Sequence, residues 1–531
     1  MNTFLDDMFK GSGNENFEKL DAWSRRFWTV DKDNIKVKFA QQGYEDKGHG
    51  HIQRIIANVG ELLECYLEKL DGFQKKEGQQ QIILKPIWDE VFKSNLILFY
   101  VAAHLHDIGM NFPGIFEALT KYVKENSTTP LHIGEIIYEH HYYASFIILM
   151  EMSCIEVGVD AFAISPYLKN ISTEKNKKDI IALNELVETI YNNHFGKFFD
   201  SIKEFKIVLA ILSLLHKKIK NEYVESIVRK FVDKNKDVVK IFEEWWDYFE
   251  RARRWTEKAH QRYLRDRDKL PASDDAEFLK AKDDSLLDLQ LVEALLQFGD
   301  KTEITIARLA RMPMGYDQMP LADFIEDTKY DDQKGYICVD MARKVISDFA
   351  RTRACCYIPV LLITVEKDPN MATPELRIVI HYLRFDGDKD LFKYIRYQDE
   401  KDFYDLGFLR DIRLRIPTLI SRSKEISKIN PVFELKFKRK EHSIRDDLDY
   451  LISSSSDPRK NFPETKKGLE KIRERKGNFP YTQQNCDAIN KYANLLIKPE
   501  GKKRVFYKSC DQEVPANFEI MAVLNLFDRE E

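Results

Sequence analysis

Residues 96–110 read LILFYVAAHLHDIGM. The run from Leu96 is apolar with helical spacing and stops at His106-Asp107, two strong metal-ligand types side by side, followed by Gly109, which is poorly suited to continuing a helix. An ionised carboxylate at the end of so apolar a segment needs a charge partner, and a divalent cation held jointly with the adjacent imidazole supplies one. A single His-Asp pair, taken alone, is better read as a hydrogen-bonded core histidine beside a solvated helix end. The weight therefore rests on whether other His and Asp residues stand in the same predicament.

They do, on four further segments. After the turn Gly48-His49-Gly50, His51 opens the stretch HIQRIIANVGELLECYLEKL and shares a helical face with Ile55, Val59 and Leu62, while His49 in the turn is expected to be exposed. In LHIGEIIYEHHYYASFIILMEM, Ile137, His141, Ala144, Ser145 and Ile148 fall on one face, with His140 one step round on a face that is also apolar. Val187, Ile190 and His194 group together in IIALNELVETIYNNHF. Finally, Leu289, Val292 and Leu296 form a stripe on which Asp300 is the next residue. Six groups in all, His51, His106, Asp107, His141, His194 and Asp300, interrupt apolar faces, and burying them unpaired would cost roughly 1–3 kcal/mol each. One shared metal centre resolves them together. His216 and His260 have no carboxylate beside them in the sequence and are expected to be structural.

The rest of the chain frames this centre. At 531 residues the protein is long enough for two or three units. Lys and Arg number 83 against 87 Asp and Glu, a net charge of -4, which offers no global attraction to nucleic acid or membrane. Seven cysteines without CxxC spacing argue against a disulfide framework and a thiolate zinc site, and point to a reducing cytoplasm. No signal pattern or membrane-length apolar run is expected. The run EEWWDYFERARRWTEKAHQRYLRDRDK, in a helical stretch from 204 to 265, reads as an amphipathic helix with its aromatic stripe turned inward. Residues 153–180, with Pro166 and the polar STEKNKKD, read as an irregular insertion.

Pro313, Gly315 and Pro320 mark a boundary, after which the pattern changes. YIPVLLITVEK, LRIVIHYLRF and VFELKFKRK read as strands, RVFYKS and FEIMAVLNLF as further ones, and helical pieces are expected near 340–352, 464–475 and 483–497. The expectation is a mainly α protein: an all-helical unit over 1–315, then a smaller α+β unit over 316–531, with no Walker motif or dinucleotide fingerprint.

The order His51, then His106-Asp107 within AAHLHDIGM, then Asp300 within LLQFGDKTEI, resembles the HD superfamily of metal-dependent phosphohydrolases. The resemblance covers residues 40–312, and HLHDIG is its most specific part. The GHGH turn and the long intervals between ligands look most like the HD domains predicted as effectors in prokaryotic conflict systems, which implies a role in antiviral defence. The resemblance implies that His51, His106, Asp107 and Asp300 hold one metal, that Asp107 bridges to a second, and that His141 and His194 complete the second position. Regular two-metal members often carry a His-His pair at the His194 position, where this chain has Asn193 before the histidine. Nitrogen and oxygen ligands suit Mn, Fe, Zn, Co or Ni in one or two copies. The implied chemistry is attack on phosphorus by a metal-activated water, with Asp107 and His106 as catalytic residues. A small phosphorylated or nucleotide substrate would need local cations, for which Lys301, Arg308, Arg311 and Arg54 are the candidates. The alternatives are a nuclease acting on single-stranded nucleic acid, and a regulatory protein that binds metal or nucleotide without turnover.

Overall fold

The fold is taken from a computed structural model, which describes residues 5, 9, 15–29, 48–69, 73–75, 82–84, 91–111, 115–126, 133–154, 174–217, 219, 221–232, 235–265, 287–302, 330–331, 336–337, 360–366, 375–382, 432–439 and 523. Within them the protein is mainly α. The helices are α1 (Glu15–Thr29), α2 (His49–Lys69), α3 (Val91–Leu105), α4 (Ile115–Asn126), α5 (Ile133–Ser153), α6 (Glu174–Ile190), α7 (Ile202–Leu215), α8 (Asn221–Val232), α9 (Lys236–Arg265) and α10 (Leu289–Thr302). A 3-10 turn, Ile108–Met110, follows α3, and a π-helical turn, Tyr191–Phe195, continues α6. No helix among the described residues is long and apolar enough to cross a membrane.

Two helices are apolar all round and form the centre of the packing. Leu96 to Ala103 of α3 and Phe205 to Leu215 of α7 are continuously buried, as expected of helices enclosed on every side. Ser201 starts α7 by accepting a hydrogen bond from the Glu204 amide at 3.2 Å, and Glu204 reaches back to the Asp200 amide. Helix α5 packs on α7 and on the 3-10 turn, α10 packs on α2 and α3, and α1 covers α2, α3 and α6.

Two glycines set how closely these helices approach. A Cβ on Gly109 would collide with the backbone of His141 and Ser145 and with the Ala144 side chain, so only glycine lets the turn after His106-Asp107 lie against α5. The Gly109 amide donates to Ser145 Oγ at 2.9 Å, which ties the turn to the helix that carries His141. On the opposite side, a Cβ on Gly299 would meet Ile55 at 2.5 Å, so glycine also brings α10 against the first turns of α2.

A different kind of adaptation ends α5. Lys206 of α7 is almost wholly buried and donates from Nζ to the Met152 carbonyl at 3.1 Å, satisfying an otherwise orphaned helix-end acceptor. Burial brings its pKa down to about 8, with Glu188 and Cys154 opposing.

Beyond Thr302 the described elements are strands: β3 (Tyr330–Asp331), β4 (Tyr336–Ile337), β5 (Val360–Glu366), β6 (Glu375–Tyr382) and β7 (Val432–Arg439). Strands β3 and β4 pair with each other, and β5, β6 and β7 form a separate sheet in that order, antiparallel between β5 and β6 (Val360 opposite His381) and parallel between β6 and β7 (Glu375 opposite Val432). The expected helical pieces at 340–352, 464–475 and 483–497, and the strand at RVFYKS, lie outside the described residues. In FEIMAVLNLF, read as a strand from its apolar content, the one described residue, Val523, is helical and buried. An apolar run that short does not separate the two states.

Two further departures concern the first 315 residues. A two-stranded antiparallel ladder, β1 (Phe73–Lys75) with β2 (Ile82–Leu84), interrupts the expected all-helical run. Helix α6 starts at Glu174, inside the polar STEKNKKD read as irregular; polarity there is compatible with a helix start, where acidic residues are favoured.

Gly109→Ala should lower stability by ~2 kcal/mol or more, since two of the three atoms the new methyl would meet, the His141 carbonyl oxygen and the Ser145 amide nitrogen, are backbone that cannot move aside; urea unfolding followed by circular dichroism checks this. Lys206→Met should flatten the pH dependence of stability. The unfolded chain binds the Lys206 proton up to the ordinary value of 10.5 and the folded chain only up to about 8, so wild-type stability rises with pH between those values and is lowest below them. Melting temperatures of both proteins across that window would show the difference.

Candidate metal centre

The ends of α3 and α7, the start of α2 and the middle of α5 converge on one carboxylate. Asp107, just past the end of α3, is 1% exposed. Its Oδ2 lies 3.4 Å from His51 Nε2 and 3.2 Å from His106 Nε2. Its Oδ1 lies 2.8 Å from His141 Nε2 and 3.5 Å from His216 Nε2. Each oxygen thus faces its own pair of imidazoles, giving two triads, His51-His106-Asp107 and Asp107-His141-His216, whose ligand atoms all lie within 4.8 Å of one another. Every one of these residues is buried.

The backbone dictates which ring nitrogens face inward. His106 Nδ1 lies 2.8 Å from the Ala103 carbonyl and His216 Nδ1 lies 2.5 Å from the Ser213 carbonyl, the same three-residue step back along each helix. A carbonyl only accepts, so each Nδ1 must carry the hydrogen, and in the neutral ring Nε2 is left as a bare lone pair. Those Nε2 atoms and both Asp107 oxygens have no hydrogen-bond partner, although all are buried. Lone pairs facing lone pairs repel, and a buried acceptor without a donor costs free energy. Shared cations relieve both problems, and a histidine whose far nitrogen is pinned by a carbonyl has the ligand form found at metal sites. The donor set therefore fits one or two metal ions held by imidazole and carboxylate.

The electrostatics favour an ionised Asp107 carboxylate and a neutral His216 ring. Burial alone would push the Asp107 carboxyl up, but the imidazoles of His106 and His141 outweigh it and hold the acid well below the usual carboxylate range. Burial, then the Lys217 ammonium and His106, pull His216 well below the ordinary histidine value against the opposing charges of Asp107 and Asp300, which keeps the ring neutral at neutral pH. Helices α3 and α7 both end at the centre, and their carbonyl ends add partial negative charge toward a cation.

Asp300 sits beside the first triad. Its Oδ1 is 3.5 Å from His51 Nε2, and its Oδ2 takes the Lys217 ammonium at 2.7 Å. Close packing at Gly299 brings it there. Of the two adjacent histidines on α5, His141 points into the centre and His140 is half-buried.

His194 is placed elsewhere. It lies in the π-helical turn after α6, half-buried, its ring stacked on Phe17 at 5.5 Å, and burial followed by Lys93 lowers its pKa. It belongs to neither triad; the second triad holds His216, which the sequence reading took as structural. The signal was present: IVLAILSLL runs into His216 as LILFYVAAHL runs into His106, but a lysine, not an aspartate, follows it. His49, expected to be exposed, is buried at 9%, with Nδ1 3.4 Å from Ser24 Oγ and Nε2 3.5 Å from Asp21; α1 covers the turn. His104 is also fully buried, its ring 4.7 Å from Tyr100 and 6.5 Å from His49. Arg54 is buried on α2. Lys301 lies in α10, and Arg308 and Arg311 fall outside the described residues.

No protein-family model matches the chain, and no curated protein and no solved structure matches it.

Plasma mass spectrometry of protein purified without chelator should find about one or two equivalents of transition metal per chain. Asp107→Ala, which removes the shared ligand, should lose all of it. His216→Ala should lose the share held by the second triad, and His194→Ala should retain the wild-type content.

Proposed function

We propose that the chain is a metal-dependent phosphohydrolase of the HD type, cleaving a phosphoester or phosphoanhydride bond in a nucleotide or nucleotide-derived molecule. The observation that carries this reading is the sharing of Asp107 between two buried triads, one carboxylate oxygen to each. Divalent ions held there would activate a water for attack on phosphorus and stabilise charge on the phosphoryl oxygens.

The chain's own residues account for the rest. Asp107 would fix the spacing of two bound ions because its two oxygens are one rigid group, each facing its own pair of imidazoles. His106 and His216 present their lone pairs without rearrangement, since their Nδ1 hydrogens are tied to the backbone. Burial of the whole set limits bulk water and strengthens every charge interaction at the centre. A structural metal site encloses its ion with four protein ligands, often thiolates, and shares none of them; a carboxylate spanning two positions is the arrangement of two-metal hydrolytic sites.

Metal-loaded protein, incubated with a panel of nucleoside triphosphates, cyclic and linear oligonucleotide signals and short single-stranded nucleic acid, should release phosphate or a shortened product from at least one class. Asp107→Asn should reduce that turnover by roughly 10³-fold or more, on the scale of losing an electrostatic stabiliser of the transition state. Metal-replete protein that binds a nucleotide but turns over none of these substrates would instead identify a regulatory binding protein.

A further inference from the structure

The residues of both triads are buried, so a substrate phosphate has to reach them past side chains that run from the centre to solvent. Tyr142 is such a side chain. It follows His141 on α5, is partly exposed, and its ring stands at right angles to both imidazoles of the second triad, with its centroid 5.7 Å from that of His141 and 6.3 Å from that of His216. The Tyr143 ring lies 4.4 Å from it. Tyr143 itself turns inward, 1% exposed and edge-on to Tyr223 of α8 at 6.2 Å. One of two adjacent tyrosines thus belongs to the core, and the other reaches the surface beside His141 and His216. Lys217, which follows His216, is also partly exposed, so the surface borders the centre on the His216 side.

We propose that Tyr142 is the platform for the base of a nucleotide whose phosphate lies at the triads. The inference rests on the phosphohydrolase reading above and narrows it, from any phosphoester to one that carries a nucleobase. A partly exposed aromatic ring offers a flat, apolar surface that favours a planar aromatic partner in offset or edge-on contact. Packing against His141, His216 and Tyr143 holds the ring in one orientation, so stacking on it costs little further side-chain freedom. Every base has such a face, and the platform therefore separates nucleotides from base-free phosphoesters without choosing one base over another. The imidazoles it touches are those that face Asp107 Oδ1, which places base recognition beside the second triad.

The deciding comparison is between ligands that share a phosphate and differ in the base. In calorimetric titrations of Mn²⁺-loaded protein with adenosine 5′-thiophosphate, ribose 5-phosphate and inorganic phosphate, wild type should bind the nucleotide at least about tenfold more tightly than either base-free ligand, the scale of one base stacked on an aromatic side chain. Tyr142→Leu should lose that advantage while binding ribose 5-phosphate and phosphate as wild type does. Tyr142→Phe and Tyr142→Trp, which keep a ring, should retain it. Metal content by plasma mass spectrometry should match wild type in every variant. Tyr142→Met carries the same test if Tyr142→Leu does not fold, and the wild-type comparison requires no variant. Equal binding of the three ligands by wild type, a preference for the nucleotide that survives in Tyr142→Leu, an equal weakening of all three ligands, or loss of metal from that variant overturns the role of Tyr142 alone; the last two would make it a brace for the imidazoles. A wild type that retains metal yet binds none of the three ligands overturns the phosphohydrolase reading itself.

Discussion

A carboxylate that is almost wholly buried between four imidazoles is the constraint on which the rest of this structure depends. Asp107 is not satisfied by its own segment alone: apart from the adjacent His106 its neighbours in sequence are an apolar helix and a 3-10 turn, and the other three imidazoles must come from elsewhere in the chain. Each compensating group comes from a different helix, and each must arrive within a few ångströms. The demand explains features that otherwise have no reason to coincide. Gly109 permits contact with α5 and hence the approach of His141; Gly299 permits contact with α2 and hence the approach of Asp300 to His51.

The apolar character of α3 and α7 has the same origin. A helix whose end must reach the middle of a domain is enclosed along its length, so every face has to be apolar, and Leu96 to Ala103 and Phe205 to Leu215 are buried without a break. Both helices then deliver a histidine at or just beyond their last turn, with Nδ1 held by the carbonyl three residues earlier. The repetition is geometric. At a helix end the i-3 carbonyl is free of its usual partner, so it is available to fix a side chain that leaves the helix there.

This explains what could be read from the chain before its structure was known. The helical period exposed His51, His141 and Asp300, because each interrupts an apolar stripe whose other members are close in sequence. His106-Asp107 was plain from the abrupt end of the apolar run. The same end was present at His216, but the criterion of an adjacent carboxylate hid it, since the carboxylate that faces His216 is contributed by α3, more than a hundred residues earlier. His194 shows the converse. Its spacing from Val187 and Ile190 is that of a regular helix, yet the chain widens into a π turn at Tyr191, and the ring is carried to a partly exposed place against Phe17. Periodicity assigns faces only while the helical repeat holds. The strand pattern beyond residue 330 was legible at YIPVLLITVEK, LRIVIHYLRF and VFELKFKRK because alternation and β-branching act locally, and each of these stretches contains a strand of the β5-β6-β7 sheet.

The centre also shows why proton and metal must be regarded as rivals. The Nε2 atoms facing Asp107 are the only positions on those rings open to a further cation, because Nδ1 of His106 and His216 is already committed to the backbone. A proton added at Nε2 would pair with the carboxylate and relieve the same repulsion that a metal relieves, so each divalent ion that binds must displace whatever protons the imidazoles hold. His216 is biased toward the metal in this competition, since burial and the adjacent Lys217 disfavour its protonated form. The same lysine pairs with Asp300 Oδ2 at 2.7 Å. The buried donor set could hold a metal ion, and a proton and a metal would compete there for the same Nε2 lone pairs.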